Sequence, residues 1–292
     1  MLLINNVEYI PSHFPDGTLC MLNMPFLGIT STVNITWKYD NDAELVALEY
    51  IVAHIRENYP TIKNIFLNLP YIPNARMDRI DPACQNEQVF TLKYFAQIIN
   101  RLNFAKVFVL DPHSSVSMGL IDRVTELPVA EFVKNAIQEI KKVNDGDIVI
   151  YTPDAGAYKR YSSLLKSLNI PFIYGEKVRN FANGKIEGLR VITNDLDIKG
   201  KTVLMIDDII AHGGTFYYSA LELQKLGVSK IFAYATHTEN SIFDTEQKDG
   251  NTELKSKFLK MIYQGDVETL FTTDTIFRGT SDSHIKVFCL NW

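Results

Sequence analysis

One rhythm constrains this chain more than any other feature: short apolar runs alternate with amphipathic stretches. Asn64-Ile65-Phe66-Leu67-Asn68-Leu69, Lys106-Val107-Phe108-Val109-Leu110, Asp147-Ile148-Val149-Ile150-Tyr151 and Thr202-Val203-Leu204-Met205-Ile206 are nearly unbroken apolar segments. Such segments fit strands covered on both faces, as in a parallel sheet. Between them, Asp42 to Glu57 gathers Leu45, Leu48, Ile51, Val52 and Ile55 on one helical stripe. Gln88 to Leu102 does the same with Phe95, Ile98 and Ile99, and Thr215 to Leu226 carries Leu221, Leu223 and Leu226. Strand and helix in alternation predict right-handed crossovers and an α/β fold.

The chain has 292 residues, more than the roughly 100–200 of a typical domain, which predicts two α/β domains. Val143-Asn144-Asp145-Gly146-Asp147 is the candidate linker, dividing the chain into 1–145 and 146–292. The first 40 residues interleave polar and apolar side chains around Asp16-Gly17, which suggests a β-hairpin or meander. Asp244 to Lys255 reads as a polar surface loop. With 29 Lys+Arg against 34 Asp+Glu the net charge is −5, which argues against a nucleic-acid binder. Cys20, Cys84 and Cys289 lack CxxC spacing, so neither a disulfide framework nor a zinc site is indicated. No basic leader opens the chain, and no apolar run approaches roughly 18 residues. The expectation is a soluble cytoplasmic protein with no membrane partner.

In open parallel sheets, ligands bind beyond the carboxyl ends of the strands. Here those ends carry chemistry. The first run leads into Pro70-Tyr71-Ile72-Pro73-Asn74-Ala75-Arg76-Met77-Asp78-Arg79, the second into Asp111-Pro112-His113-Ser114-Ser115. The third leads into Pro153-Asp154-Ala155-Gly156-Ala157-Tyr158-Lys159-Arg160 and the fourth into Asp207-Asp208-Ile209-Ile210-Ala211-His212-Gly213-Gly214-Thr215. In the fourth, small residues let backbone N–H groups approach a phosphate at a helix start, and Thr215 adds a hydroxyl. Asp207 and Asp208 can accept hydrogen bonds from the vicinal hydroxyls of a ribose. Singly, each loop has a structural explanation: a glycine turn, a cap, a surface ion-pair cluster. Together they resemble a nucleotide-plus-magnesium site, and the P-loop GxxxxGK[ST] is missing from the sequence.

The run Val203–Ile210 followed by Gly213-Gly214-Thr215 resembles the phosphoribosyl-pyrophosphate loop of the phosphoribosyltransferase superfamily. Pro70-Tyr71 with Ala75-Arg76 and Asp78-Arg79 is similar to the PYxxxARxDR hallmark of the ribose-phosphate pyrophosphokinases. That family's D-L-H is matched by Asp111-Pro112-His113, its PDxGGxxR by Pro153 to Arg160, and its mobile K-R-R stretch by Lys177-Val178-Arg179. Phe14-Pro15-Asp16-Gly17 resembles its F-x-D-G-E, and Asn41-Asp42 its N-D-N. The likeness is collinear from about Phe14 to about Thr275. It implies two tandem phosphoribosyltransferase-like domains, each a mainly parallel sheet flanked by helices. It also implies transfer of the β,γ-diphosphoryl group of ATP to the anomeric hydroxyl of a ribose phosphate. Lys177 and Arg179 would neutralise charge developing on the transferring group. His113 and Asp154 would help hold Mg²⁺, directly or through water. Arg76, Asp78, Arg79 and His113 would bind ATP. Asp207, Asp208, His212, Gly213, Gly214 and Thr215 would bind the ribose phosphate. Phe14 and Asp16 would reach ATP held by a neighbouring subunit, which implies a homo-oligomer, a dimer or a hexamer built from dimers.

The chain departs from the family's D-T-x-G-T at Ala211 and His212, so a carboxylate and a hydroxyl are missing where the 5-phosphate should sit. Either His212 replaces the lost donor, or the 5-position carries something larger than a monophosphate. A related phage branch in NAD rebuilding uses ADP-ribose as acceptor. Phe216, Tyr217 and Tyr218 could offer a second adenine a stacking surface, although aromatics at such positions are more often core residues. Thr18 replaces the acid of D-G-E, and Ile80 to Asn86 lacks the basic residues that serve ATP contacts and feedback control in the family. ADP-ribose is slightly favoured over ribose 5-phosphate as acceptor; a phage-encoded protein would then work in the host cytoplasm. A phosphoribosyltransferase and a non-catalytic regulatory subunit remain the alternatives.

Overall fold

A computed structural model of the chain describes residues 1–25, 27–28, 30–84, 87–179, 186–248 and 251–290. The side chains of 177–179, 186–188, 248 and 251 fall outside that description. The chain forms two units, Met1–Pro128 and Val129–Leu290.

The first unit opens with β1 (Leu2–Ile4), β2 (Val7–Tyr9), β3 (Ser12–His13), β4 (Leu19–Cys20) and β5 (Thr32–Trp37). It continues with α1 (Ala43–Asn58), β6 (Asn64–Asn68), α2 (Thr91–Arg101), β7 (Lys106–Leu110), the short α3 (Ser115–Leu120) and β8 (Val124–Leu127). Its sheet runs in the order β2-β1-β5-β6-β7-β8. The strands β5 to β8 are parallel, while β1 pairs antiparallel with both β2 and β5. Ala47, Leu48, Ile51, Val52 and Ile55 of α1 bury against this sheet together with Leu92, Phe95 and Ile99 of α2. Each of the larger side chains among these, from Val to Phe, contributes about 1.5–3 kcal/mol by leaving water. The expected hairpin at Asp16-Gly17 is the two-stranded β3–β4 pair. Gly17 sits at φ 85° in its turn, a conformation that costs glycine little.

The second unit contains α4 (Ala130–Val143), β9 (Ile148–Thr152), α5 (Ala155–Leu168), β10 (Phe172–Arg179) and β11 (Ile186–Ile192). Then come β12 (Thr202–Ile210), α6 (Gly214–Lys225), β13 (Lys230–Thr238), β14 (Thr245–Lys248), β15 (Asn251–Leu254), α7 (Lys257–Gln264), β16 (Leu270–Thr273) and β17 (Ile285–Phe288). The large sheet has the order β11-β10-β9-β12-β13-β16-β17, parallel throughout except for the β10–β11 arm. Val149, Met205, Ala233, Leu223, Phe258 and Ile262 are among its core residues.

Both units are α/β with mainly parallel sheets, as the alternation predicted. Three readings are corrected. The division falls between Pro128 and Val129 rather than at 145/146, so α4 lies in the second unit. There Phe132 packs on Phe288 at 6.4 Å, and Glu139 pairs with Lys286 at 2.5 Å. Second, Asp244 to Lys255 contains the β14–β15 hairpin rather than an irregular loop. Third, the fourth apolar run does not end before its acids. Strand β12 continues to Ile210, with Asp207 opposite Ala235, because a cation on α5 neutralises the acids (below). Among the described residues no helix is long and apolar enough to cross a membrane.

Candidate active site

In the first unit, the Pro70–Arg79 segment leaves the carboxyl end of β6, and Asp111-Pro112-His113 leaves the adjacent β7. The Leu110 amide donates to the Pro70 carbonyl at 3.1 Å, tying the two exits together. Ile72 and Ala75 are buried anchors, which leaves Arg76 and Arg79 on the surface and Asp78 half-buried. Asn74 turns this segment at φ 63°. Asp111 is buried and adopts φ 44°, an uncommon conformation for a residue with a side chain, at the point where the chain must turn to present His113. Thus the structure brings Arg76, Asp78, Arg79 and His113 to one end of one sheet.

Phe14 and Asp16 lie apart from that set in the sequence order, on the β3–β4 hairpin. Phe14 is exposed over about half of its surface, at 53%. Asp16 is occupied by its own turn: Oδ1 accepts from the Thr18 amide at 2.9 Å and from the Thr18 hydroxyl at 2.7 Å. These bonds hold its carboxyl below the usual carboxylate range. The threonine that replaces the family's acid therefore steadies the neighbouring aspartate.

In the second unit, Asp154 caps α5, its Oδ1 accepting from the Ala157 amide at 3.0 Å. The same helix carries Arg160 toward β12. Its guanidinium ion-pairs with Asp208 and stands 3.8 Å from Asp207. Asp208 is buried and Asp207 only slightly exposed, and the Asp208 amide donates to Asp207 Oδ1 at 2.9 Å. Burial and the adjacent Asp208 charge push the Asp207 carboxyl well above its ordinary range. Arg160 was legible only as the last letter of a motif; its tie to the acids on another element is set by the α5–β12 packing.

After β12, Gly213 takes φ 75° and opens α6. A Cβ there would lie 2.6 Å from Phe258 Cβ, so the turn packs backbone-to-ring on α7. A Cβ on Gly214 would meet nothing within 4 Å, so the helix start is open to a ligand. Thr215 stands beside it. His212 points elsewhere: its Nδ1 is 2.8 Å from the Ser241 carbonyl, and its Nε2 is 4.0 Å from Asp244 Oδ2. The His212 carbonyl accepts from Ser256 Oγ at 2.8 Å. Phe216, expected as a possible stacking surface, is instead a core residue against Phe258 at 5.3 Å. Tyr218 is exposed, with Tyr217 edge-on to it at 5.2 Å and Lys257 Nζ 5.5 Å over the Tyr217 ring.

Lys177 and Arg179 lie on β10, where their backbones pair with Leu189 and Ile186 of β11. A strand arm thus replaces the expected loop at these two positions; their side chains lie outside the described residues. The register shifts between Val178 and Arg179.

Among the described residues no cluster of three or more His, Cys, Asp or Glu side chains could hold a metal by itself. Magnesium needs only one or two protein carboxylates when phosphate oxygens and water complete its shell. Asp154, capping α5 through one oxygen, suits that demand; His113, a nitrogen donor, suits it through water.

A parallel sheet whose central strand ends in paired acids, a glycine turn and a helix start defines a phosphoribosyltransferase-type domain. Residues 124–255 match the phosphoribosyl transferase domain family. The ribose-phosphate pyrophosphokinase of Thermococcus kodakarensis is 28% identical over 225 residues, covering 77% of this chain and 75% of that protein. The one from Sulfolobus acidocaldarius is 26% identical over 275 residues, covering 92% and 84%. The crystal structure of phosphoribosylpyrophosphate synthetase from Mycobacterium smegmatis superposes with a TM-score of 0.72 at 18% identity, covering 98% of this chain and 88% of that one, a likeness of fold. Over most of its length the chain is thus similar to ribose-phosphate pyrophosphokinases.

Proposed function

We propose that this chain transfers the β,γ-diphosphoryl group of ATP to the anomeric hydroxyl of a 5-phosphorylated ribose and releases AMP. The observation that carries the reading is the β12–α6 junction, where two acids on a strand precede an open helix start. Asp207 and Asp208 accept from the ribose 2- and 3-hydroxyls, which places the anomeric oxygen for in-line attack. The α6 amides and Thr215 receive phosphate. Arg76 and Arg79 grip the ATP phosphates, Asp78 orients them, and His113 assists. Lys177 and Arg179 stabilise charge on the group in flight. Asp154 and His113 would each help hold Mg²⁺, directly or through water, and the ion would supply charge neutralisation on the polyphosphate. Phe14, exposed at its hairpin tip, suits a contact with adenine bound by a neighbouring copy, so the assembly we propose is a homo-oligomer, a dimer or a hexamer built from dimers.

The acceptor we assign is ADP-ribose in preference to ribose 5-phosphate. Ala211 contributes no polar group beside the helix start, and His212 is engaged by Ser241 rather than aimed at the phosphate position. A monophosphate would lose the donors that its relatives' loop provides, whereas a diphosphate continuing to adenosine can extend across this gap toward exposed Tyr218. The test is AMP release from ATP and Mg²⁺ with each acceptor. Faster release with ADP-ribose supports the assignment. Release with ribose 5-phosphate alone overturns the acceptor and keeps the reaction. No release with either, from folded protein, overturns the reaction and favours the regulatory-subunit or phosphoribosyltransferase alternatives.

A further inference from the structure

At the amino ends of β6 and β7, opposite the end that carries Arg76 and His113, the first unit has a cavity of about 280 Å³. Arg56, Lys63 and Arg123 line it together with Asn64 and Asn103, and no carboxylate does. Among the described residues none of these three cations makes an ion pair. Instead they are fixed by neutral oxygens. Arg56 donates from one terminal nitrogen to the Leu102 and Asn103 carbonyls. Arg123 donates from Nε to the Phe104 carbonyl at 2.7 Å and from a terminal nitrogen to Asn103 Oδ1 at 2.8 Å. Lys63 Nζ donates to the Pro60 carbonyl at 2.9 Å.

These contacts leave donors over. Each guanidinium has five N–H groups, and the unused ones belong to side chains already held in place. Carbonyl oxygens at the end of α2 make the cations tolerable but carry only partial charge, so the pocket keeps a net positive field. Rigid forks with spare donors around one concavity suit a planar or tetrahedral oxyanion, and little rotamer freedom would be lost on capture. The strand β6 alone spans about 16 Å at roughly 3.3 Å per residue, so this pocket is separate from the candidate active site.

We propose that this pocket is a second anion site, outside the reaction centre, which binds inorganic phosphate or diphosphate. Its size excludes a whole nucleotide base and sugar but admits one or two phosphoryl groups. The site does not depend on the proposed reaction.

The test uses the full chain with inorganic phosphate and with diphosphate, titrated calorimetrically against wild type, Lys63→Glu and Arg123→Gln. Lys63 is exposed and tied only to one carbonyl, so Lys63→Glu should keep the fold and the melting temperature in phosphate-free buffer. One class of phosphate sites should weaken by about tenfold or more in both variants, while AMP release at saturating substrates stays at the wild-type rate. Identical phosphate and diphosphate isotherms in wild type and Lys63→Glu would overturn the proposal, whatever Arg123→Gln does to stability. A wild-type protein that binds only at sites blocked by saturating ATP would overturn it equally.

Discussion

Replacing Arg160 by Met probes the electrostatics of the β12 acids directly. Met keeps the length and apolar stem of the side chain but leaves the buried Asp208 without its cation, beside the slightly exposed Asp207. Removing one partner of a buried ion pair typically costs about 3–5 kcal/mol. The Arg160 side chain retains 20% of its exposure, so some of that is screened, and about 2–4 kcal/mol is the expectation. For a unit of this size each kcal/mol moves the melting temperature by roughly 2–4 °C, so the second unit should melt about 4–16 °C lower at pH 7. The cost should shrink with acid, because an orphaned Asp208 can protonate, each unit of upward shift being worth about 1.4 kcal/mol. Urea unfolding of Arg160→Met, Asp208→Asn and the double variant at pH 5 and pH 8 closes a double-mutant cycle. AMP release should fall in Arg160→Met even where the protein is fully folded, since the acids lose the group that orients them. A loss below about 0.5 kcal/mol at pH 8, or a cost that does not change between the two pH values, would refute the argument.

Three further outcomes are expected. Asp207→Asn should abolish AMP release yet leave the protein as stable as wild type or more stable at pH 8. A raised carboxyl binds its proton more tightly in the folded chain, so its favourable contribution exists below the ordinary carboxylate range and is lost as pH rises through the folded value; melting curves at pH 5 and 8 check the sign. Gly213→Ala combines a positive φ with a methyl 2.6 Å from Phe258 Cβ and should cost about 2–4 kcal/mol in urea unfolding, with loss of activity. Lys177→Ala should lower AMP release by at least about a hundredfold with an unchanged melting temperature; wild-type turnover would remove this lysine from the catalytic role.

The sequence made the parallel strands plain because their apolar runs need no partner to be recognised. It also made the glycine turn plain, since Gly213 and Gly214 stand where a strand pattern passes into a helical one. What it concealed followed from contacts between distant elements. The end of β12 was hidden because Asp207 and Asp208 look like loop residues until Arg160, on α5, is placed beside them. The unit boundary was hidden because α4 is tied to its unit by Lys286 and Phe288, far along the chain. His212 reads as a substitute phosphate donor, and only Ser241 and Asp244, brought up from a segment some thirty positions on, turn it aside.

The pairing of Glu139 with Lys286 spans 147 positions. Joining such distant groups means closing a very long loop before any contact rewards it, and topologies dominated by such contacts fold slowly. Until β17 arrives, β16 is a parallel edge with open backbone groups and the ring of Phe271 lacks the stacked ring of Phe288, 6.0 Å away in the finished sheet. During synthesis the second unit therefore waits with a sticky edge exposed. Overexpression at high temperature should punish this unit first, with chaperone dependence traced to β16 rather than to the chemistry at the opposite turn of the chain.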